Sequence, residues 1–167
     1  MPKLIKDGVI LADEWTLLEK PEGEASGVEV PSGKVIVPLT VWQAQKEALQ
    51  QRQDIGVWLD SEELASELGE DAKSLPLVAI HFPLFMDGRG FSTARLLRER
   101  FGFTGELRAI GYFLRDQLCY LKRCGVNAFE FSRNEISLED ALSSLNDFTE
   151  YYQASVDQPL PLFRRRQ

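Results

Sequence analysis

From Ile55 onward, the apolar positions of the chain fall into a repeating cadence. "IGVWLD" (55–60), "LPLVAIHF" (75–82), "ELRAIG" (106–111) and "VNAFEF" (126–131) are short apolar runs of the kind that forms buried strands. A helical pattern follows each. The first is "SEELASEL" (61–68), with Ser61 as N-cap. The second covers 92–101 and is stopped by Gly102, and the third covers 113–124 and is stopped by Gly125. The fourth starts at Ser137 and carries the stripe Leu138, Ala141, Leu142, Leu145 and Phe148. Four strand–helix units at intervals of about 20–30 residues predict an α/β fold with a parallel sheet and helices packed on it. The pattern leaves closure open: an open doubly wound sheet or a half-barrel would read alike. A half-barrel has two bare edges, so a homodimer is expected unless the N-terminal segment covers them.

The first third is less regular. "KLIKDGVILAD" reads as two short apolar pieces around Asp7-Gly8, a tight hairpin turn. "PEGEASG" (21–27) reads as a loop and "KVIVPL" as a short strand or extended arm. "TVWQAQKEALQQR" reads as a helix with Thr40 as N-cap and Gln43 completing a capping box, its buried stripe being Val41, Trp42, Ala48 and Leu49. At the other end, the prolines of "ASVDQPLPLFRRRQ" rule out regular structure throughout and suggest an extended tail. A single domain of 167 residues is expected, divided into an N-terminal arm and helix (1–53), a βα core (54–152) and the tail (153–167).

Composition narrows the function. A hydrophobic content of 44% belongs to a globular protein that buries a core. No apolar run reaches the ~20 residues of a membrane span, and "MPKLIKDGVILADEW" lacks a signal-peptide pattern, so a cytoplasmic protein with no membrane partner is expected. Net charge is −7 but uneven: residues 1–88 carry seven basic and sixteen acidic side chains, residues 89–123 eight basic and three acidic. A basic island in an acidic chain suits a small anion or an acidic protein surface, but no phosphate-tracking stripe suits nucleic acid. Cys119 and Cys124 lie five residues apart, on different faces of a helix, and read as reduced apolar side chains.

In parallel α/β sheets, ligands bind where strands lead into helices. That rule selects Asp60 after the first strand, and His81, Asp87, Arg89 and Ser92 after the second. It selects Gly111, Tyr112, Arg115 and Asp116 after the third, and Glu130, Ser132 and Arg133 after the fourth. The run Asp87-Gly88-Arg89-Gly90-Phe91-Ser92 is the leading candidate. Its glycines free the backbone, a helix start would supply N–H groups, Ser92 a hydroxyl and Arg89 a guanidinium, with Arg115 and Asp116 nearby and Arg95 a further cation. His81, the single histidine, and Asp87 are the candidate proton acceptors. No metal cluster, nucleophile elbow or complete nucleotide fingerprint is present, so no cofactor is assigned.

The segment "FPLFMDGRGFSTARLLRERFGFTGELRAIG", the later "LRDQL" and "RCGVNAFEF", the opening "LIKDGVI" and the closing "SVDQPLPLFRRR" together resemble a small family of bacterial proteins of unknown function encoded beside assimilatory sulfite reductase. The resemblance covers nearly the whole chain. It implies an accessory role in sulfite reduction and cysteine synthesis, with sulfite reductase as a partner, and it supplies no mechanism. The oxidoreductase label that some relatives carry finds no redox cysteine pair or cluster ligands here. Tyr112-Phe113 departs from the smaller or acidic pair of relatives. The residues support three readings: an accessory protein binding a small anion or an acidic partner surface at the strand ends, a barrel-like enzyme acting on a small anionic substrate, or a structural homodimer without a ligand.

Overall fold

Asp7 and Gly8 both take positive φ, 51° and 78°, as a two-residue hairpin turn requires, and they join β1 (Lys3–Lys6) to β2 (Val9–Ala12) in antiparallel register. The computed structural model describes residues 3–82, 89–111, 117–131 and 138–145. Past the hairpin come β3 (Thr16–Leu17), β4 (Val35–Pro38), α1 (Leu39–Ala44), α2 (Lys46–Leu49), β5 (Ile55–Leu59), α3 (Ala65–Leu68) and β6 (Leu77–Phe82). Then follow α4 (Arg89–Glu99), β7 (Glu106–Gly111), α5 (Leu118–Arg123), β8 (Ala128–Phe129) and α6 (Leu138–Leu145).

The strands form one mostly parallel sheet in the order β2-β1-β8-β7-β6-β5-β4-β3, curled as a half-barrel. From β3 to β8 every pairing is parallel, and β1 joins β8 antiparallel through Ile5↔Phe129 and Lys6↔Ala128. The depth of the curl follows from chain length. Laid flat, seven strand spacings would separate β2 from β3 by about 34 Å. Asp13, Glu14 and Trp15 alone connect them, and four Cα steps span at most about 15 Å. The two edges must therefore bend towards each other, with this bridge closing the distance.

Alternation along the strands builds two interiors. Val57 and Leu59, Val78 and Ile80, and Leu107 and Ala109 face the helices, in a core that also takes in Trp42, Leu68, Leu97, Leu121 and Ala141. The opposite, concave face carries Ile36, Trp58, Leu77, Ala79 and Ile110, with Trp15 of the bridge packed on them. Strands buried on both faces read as continuous apolar runs, which is why the sequence revealed them.

Several local expectations are corrected. Thr40 is not an N-cap: α1 starts at Leu39 after Pro38, with no side-chain cap, and Gln43 reaches instead to the Glu67 carbonyl at 3.4 Å. Leu39 joins Val41, Trp42 and Leu49 in the buried stripe, while Ala48 is exposed. Ser61 is not an N-cap either: α3 starts only at Ala65, where the Glu67 carboxylate accepts from the Leu64 N–H at 2.9 Å. Because β4 runs straight into α1 and pairs with β5, the N-terminal arm adds a further strand–helix unit to the same sheet. β8 is confined to two residues, since Asn127 spends its N–H on the Leu107 carbonyl and its side-chain oxygen on the Leu107 N–H. Ser137, Phe148 and the tail lie outside the described residues.

Candidate binding site at the strand ends

Parallel pairing of β5 with β6 puts their carboxyl ends side by side, and so brings together Asp60 and His81. His81 Nδ1 lies 3.2 Å from Asp60 Oδ1. An ionised carboxylate only accepts, so Nδ1 carries the hydrogen of this contact and Nε2 is the ring nitrogen not engaged by Asp60. Burial opposes the Asp60 charge, but the Ser61 N–H, Lys20 and His81 outweigh it and hold the carboxyl below its usual range. Lys20 Nζ sits 3.0 Å from Asp60 and 3.6 Å from Glu63. Burial works against its charge too, yet these carboxylates raise its affinity for the proton. Trp58 braces the group: its indole N–H donates to the Leu18 carbonyl at 2.9 Å, and its ring meets His81 edge-on, with centroids 5.6 Å apart. Lys20 lies 5.7 Å above the same ring.

Gly111 ends β7 next to His81 with φ 99°. A Cβ there would stand 2.5 Å from the Phe82 carbonyl oxygen and 3.0 Å from His81 Cδ2, so only glycine leaves the imidazole its position.

Further along the concave face lies a charge cluster centred on Arg108, whose side chain is only 2% exposed. It donates to Asp13 at 3.0 and 3.1 Å, to Glu106 at 2.9 and 3.1 Å, and to Glu130 at 3.4 Å. Lys6 adds a contact to Glu106 at 3.4 Å. Asp13 thereby fastens the bridge to the sheet. Glu130, at the carboxyl end of β8, is the least firmly held: burial pushes its carboxyl up, Asp13 adds to the push, and Arg108 opposes it.

The expected glycine-arginine seat is only partly described. Asp87, Gly88, Arg115 and Asp116 lie outside the described residues, as do Tyr112, Ser132 and Arg133. Arg89 is exposed and is the first residue of α4, so that helix starts three residues earlier than expected and Ser92 is its fourth residue. Arg89 and Ser92 line a cleft of about 320 Å³ between α3 and α4, which they share with Glu62, Glu63 and Arg100. Gly90 is corrected in its reason. Its φ is not positive; it lies buried where a Cβ would come within 2.4 Å of the Phe82 ring, so it lets α4 pack on β6. Three of the eight basic residues of the island are committed elsewhere. Arg98 donates to the carbonyls of Gly125, Phe103 and Gly105, Arg108 is buried in its cluster, and Arg95 pairs with Glu99 at 3.3 Å. Neither Cys119 nor Cys124 is in a disulfide.

Sequence reasoning missed Lys20 and Trp58 as parts of the site. Lys20 reaches it from the far edge of the sheet, forty residues from Asp60, and no local signal marks it. Trp58 follows from alternation, since it shares a face with Asp60.

Fold and site together define a curled α/β half-barrel protein with a polar group at the carboxyl ends of its central strands. The chain belongs to a family of bacterial proteins of unknown function, DUF934, whose sequence model matches residues 56–163. No curated protein and no solved structure matches the chain. No helix among the described residues is long and apolar enough to cross a membrane.

Proposed function

We propose that this protein binds a small oxyanion at the carboxyl ends of β5 and β6, with His81 as the group that exchanges a hydrogen bond or a proton with it. The observation that supports the reading is the 3.2 Å contact between His81 and Asp60, which orients the ring and leaves Nε2 as the ring nitrogen that can meet the ligand. Lys20 offsets the nearby carboxylates, and Gly111 leaves the His81 ring its position. Arg89, with Gly88, Gly90, Ser92 and Arg115, remains the cationic part of the proposal. The biological setting we infer is that of an accessory protein of sulfite reduction and cysteine synthesis, a partner of sulfite reductase in the cytoplasm. Support for that setting comes from the sequence resemblance.

Calorimetric titration of sulfite, sulfate and inorganic phosphate into the full chain tests the binding, and capture of sulfite reductase by the tagged chain tests the setting. His81→Gln and Arg89→Ala are expected to weaken oxyanion binding by about tenfold each, the scale of one charge-assisted hydrogen bond. Absence of binding by all three anions refutes the reading. The catalytic alternative is favoured by the same oriented imidazole, and it predicts turnover of the bound anion that His81→Gln abolishes.

A further inference from the structure

We propose that the free edge of β2 is a docking surface for a second copy of this chain, paired antiparallel about a two-fold axis through Leu11. This contact stands apart from the oxyanion site and does not depend on it.

β2 ends the sheet: among the described residues its strand partner is β1 alone. The two-residue turn at Asp7-Gly8 makes Lys6 and Val9 a hydrogen-bonded pair, and alternation makes Leu4 and Leu11 the next one. The other side of β1 keeps the same parity, since the Asp7 N–H donates to the Asn127 carbonyl at 2.8 Å. The main-chain groups of Val9 and Leu11 are thus spent on β1. Those of Ile10 and Ala12 point outward, and no strand of described residues takes them. Edge strands are ordinarily blunted by a lysine, a proline or a bulge. The run Val-Ile-Leu-Ala pairs in unbroken register and has none of these. Val9 and Leu11, which share one face, are 53% and 44% exposed although both are large apolar side chains.

A second copy offers the matching spacing of outward groups. In antiparallel pairing, Ile10 of each copy faces Ala12 of the other, and each such pair exchanges both of its hydrogen bonds. No outward group of β2 is then left over, whereas a shift of two residues strands one residue of each copy. Leu11 meets Leu11 of the second copy as a non-hydrogen-bonded pair, with Cα atoms about 4.5 Å apart. Val9 lies on the diagonal to that leucine, so the exposed apolar side chains of both copies join in one patch. The charges at the two ends agree with this direction. Asp7 is exposed at the start of β2. Lys34, held by Glu14 and 48% exposed, lies beside its end, where it lines one cavity with Leu11 and Ala12. A two-fold contact sets start against end twice over, bringing Lys34 of each copy towards Asp7 of the other. The strand itself carries no charge to repel its copy. Its 4 residues a side, against the roughly 20–30 of a standard interface, describe a weak and reversible dimer.

The test is sedimentation velocity of the full chain over a concentration series, with mild oxidation of Leu11→Cys beside it. Monomer is expected to give way to dimer as concentration rises. Ala12→Pro removes an outward N–H and no bond to β1, because Ala12 and Lys3 form a non-hydrogen-bonded pair. It is expected to melt close to the parent and to weaken the dimer about tenfold or more, since each dimer loses a bond on either side of the axis. Leu11→Lys sets like charges face to face on the axis and is expected to abolish the dimer. In Leu11→Cys the two thiols fall within disulfide reach across the axis, so oxidation is expected to yield a covalent dimer. Val9→Cys, which does not face its own copy, and the parent chain, with Cys119 and Cys124, are expected to yield none. A parent chain that stays monomeric throughout the series overturns the proposal. So does a dimer that is indifferent to Leu11→Lys and Ala12→Pro and gives no cross-link in Leu11→Cys, because its contact then lies elsewhere.

Discussion

Replacing Arg108 by Met tests what holds the bridge across the sheet. The guanidinium is 2% exposed and its partners Asp13 and Glu106 are 3% and 8% exposed, so the substitution leaves Asp13 buried without its cation and Glu106 with only Lys6 at 3.4 Å. It also removes five hydrogen bonds between 2.9 and 3.4 Å. Removing one partner of a buried ion pair costs about 3–5 kcal/mol, because the charges left behind have lost both water and partner. Against a total stability of roughly 5–15 kcal/mol, that is a large share. The assay is urea unfolding of parent and variant at neutral pH, followed by circular dichroism, with Asp13→Asn and the double variant to close a cycle. Asp13 and Arg108 are in direct contact, so a coupling of about 0.5–3 kcal/mol is expected. Arg108→Lys should fall between parent and Met, since a lysine keeps the charge but loses the fork. A loss below about 1 kcal/mol in Arg108→Met, or strict additivity with Asp13→Asn, would refute the argument that this cluster clamps the bridge.

Gly111→Ala forces a Cβ into the Phe82 carbonyl and the His81 ring at φ 99°; it should cost about 1–3 kcal/mol in thermal unfolding and also displace His81, so oxyanion binding weakens in the same variant. Gly90→Ala drives a methyl into the Phe82 ring at 2.4 Å; a loss of about 1–3 kcal/mol in thermal unfolding is expected, and unaltered melting would contradict the packing role. Asp60 has its folded-state pKa lowered, so it stabilises above its unfolded value, and that stability is lost as pH falls through the folded one; Asp60→Asn should remove this part of the acid sensitivity in melts between neutral pH and the acid range. Glu130 has the opposite sign: its folded pKa is raised, so stability is greatest below the unfolded value and declines as pH rises through the folded one. Glu130→Gln should therefore flatten stability just above the usual carboxylate range.

Much of the sheet was legible because strands buried on both faces cannot hide their composition. "IGVWLD", "LPLVAIHF" and "ELRAIG" each mark their strand to within two residues. Asp7-Gly8 was legible for a different reason, since few dipeptides adopt two successive positive φ values. Helix starts fared worse. Thr40 and Ser61 have capping chemistry, but tertiary packing put the starts at Leu39 and Ala65. Asp60 and His81 were both visible as strand-end residues, and consecutive parallel strands that pair directly imply their contact. The Arg108 cluster was not legible as a cluster. Glu106 and Arg108 stand at i and i+2, which places them on one face, yet Asp13 arrives from ninety-five residues away and only the curl of the sheet delivers it.

The partnership of β1 with β8 has a consequence for biosynthesis. On the ribosome, the N-terminal hairpin emerges long before residues 128–129, so Leu4 and Ile5 must wait through more than a hundred further residues for their resting place. Meanwhile Val9 and Leu11, exposed even in the finished protein, lie beside an unfilled ladder. Until residues 128–129 are made, the open edge of β1 has no partner strand. Attachment of that hairpin should be a late and slow event, because distant pairings wait on loop closure.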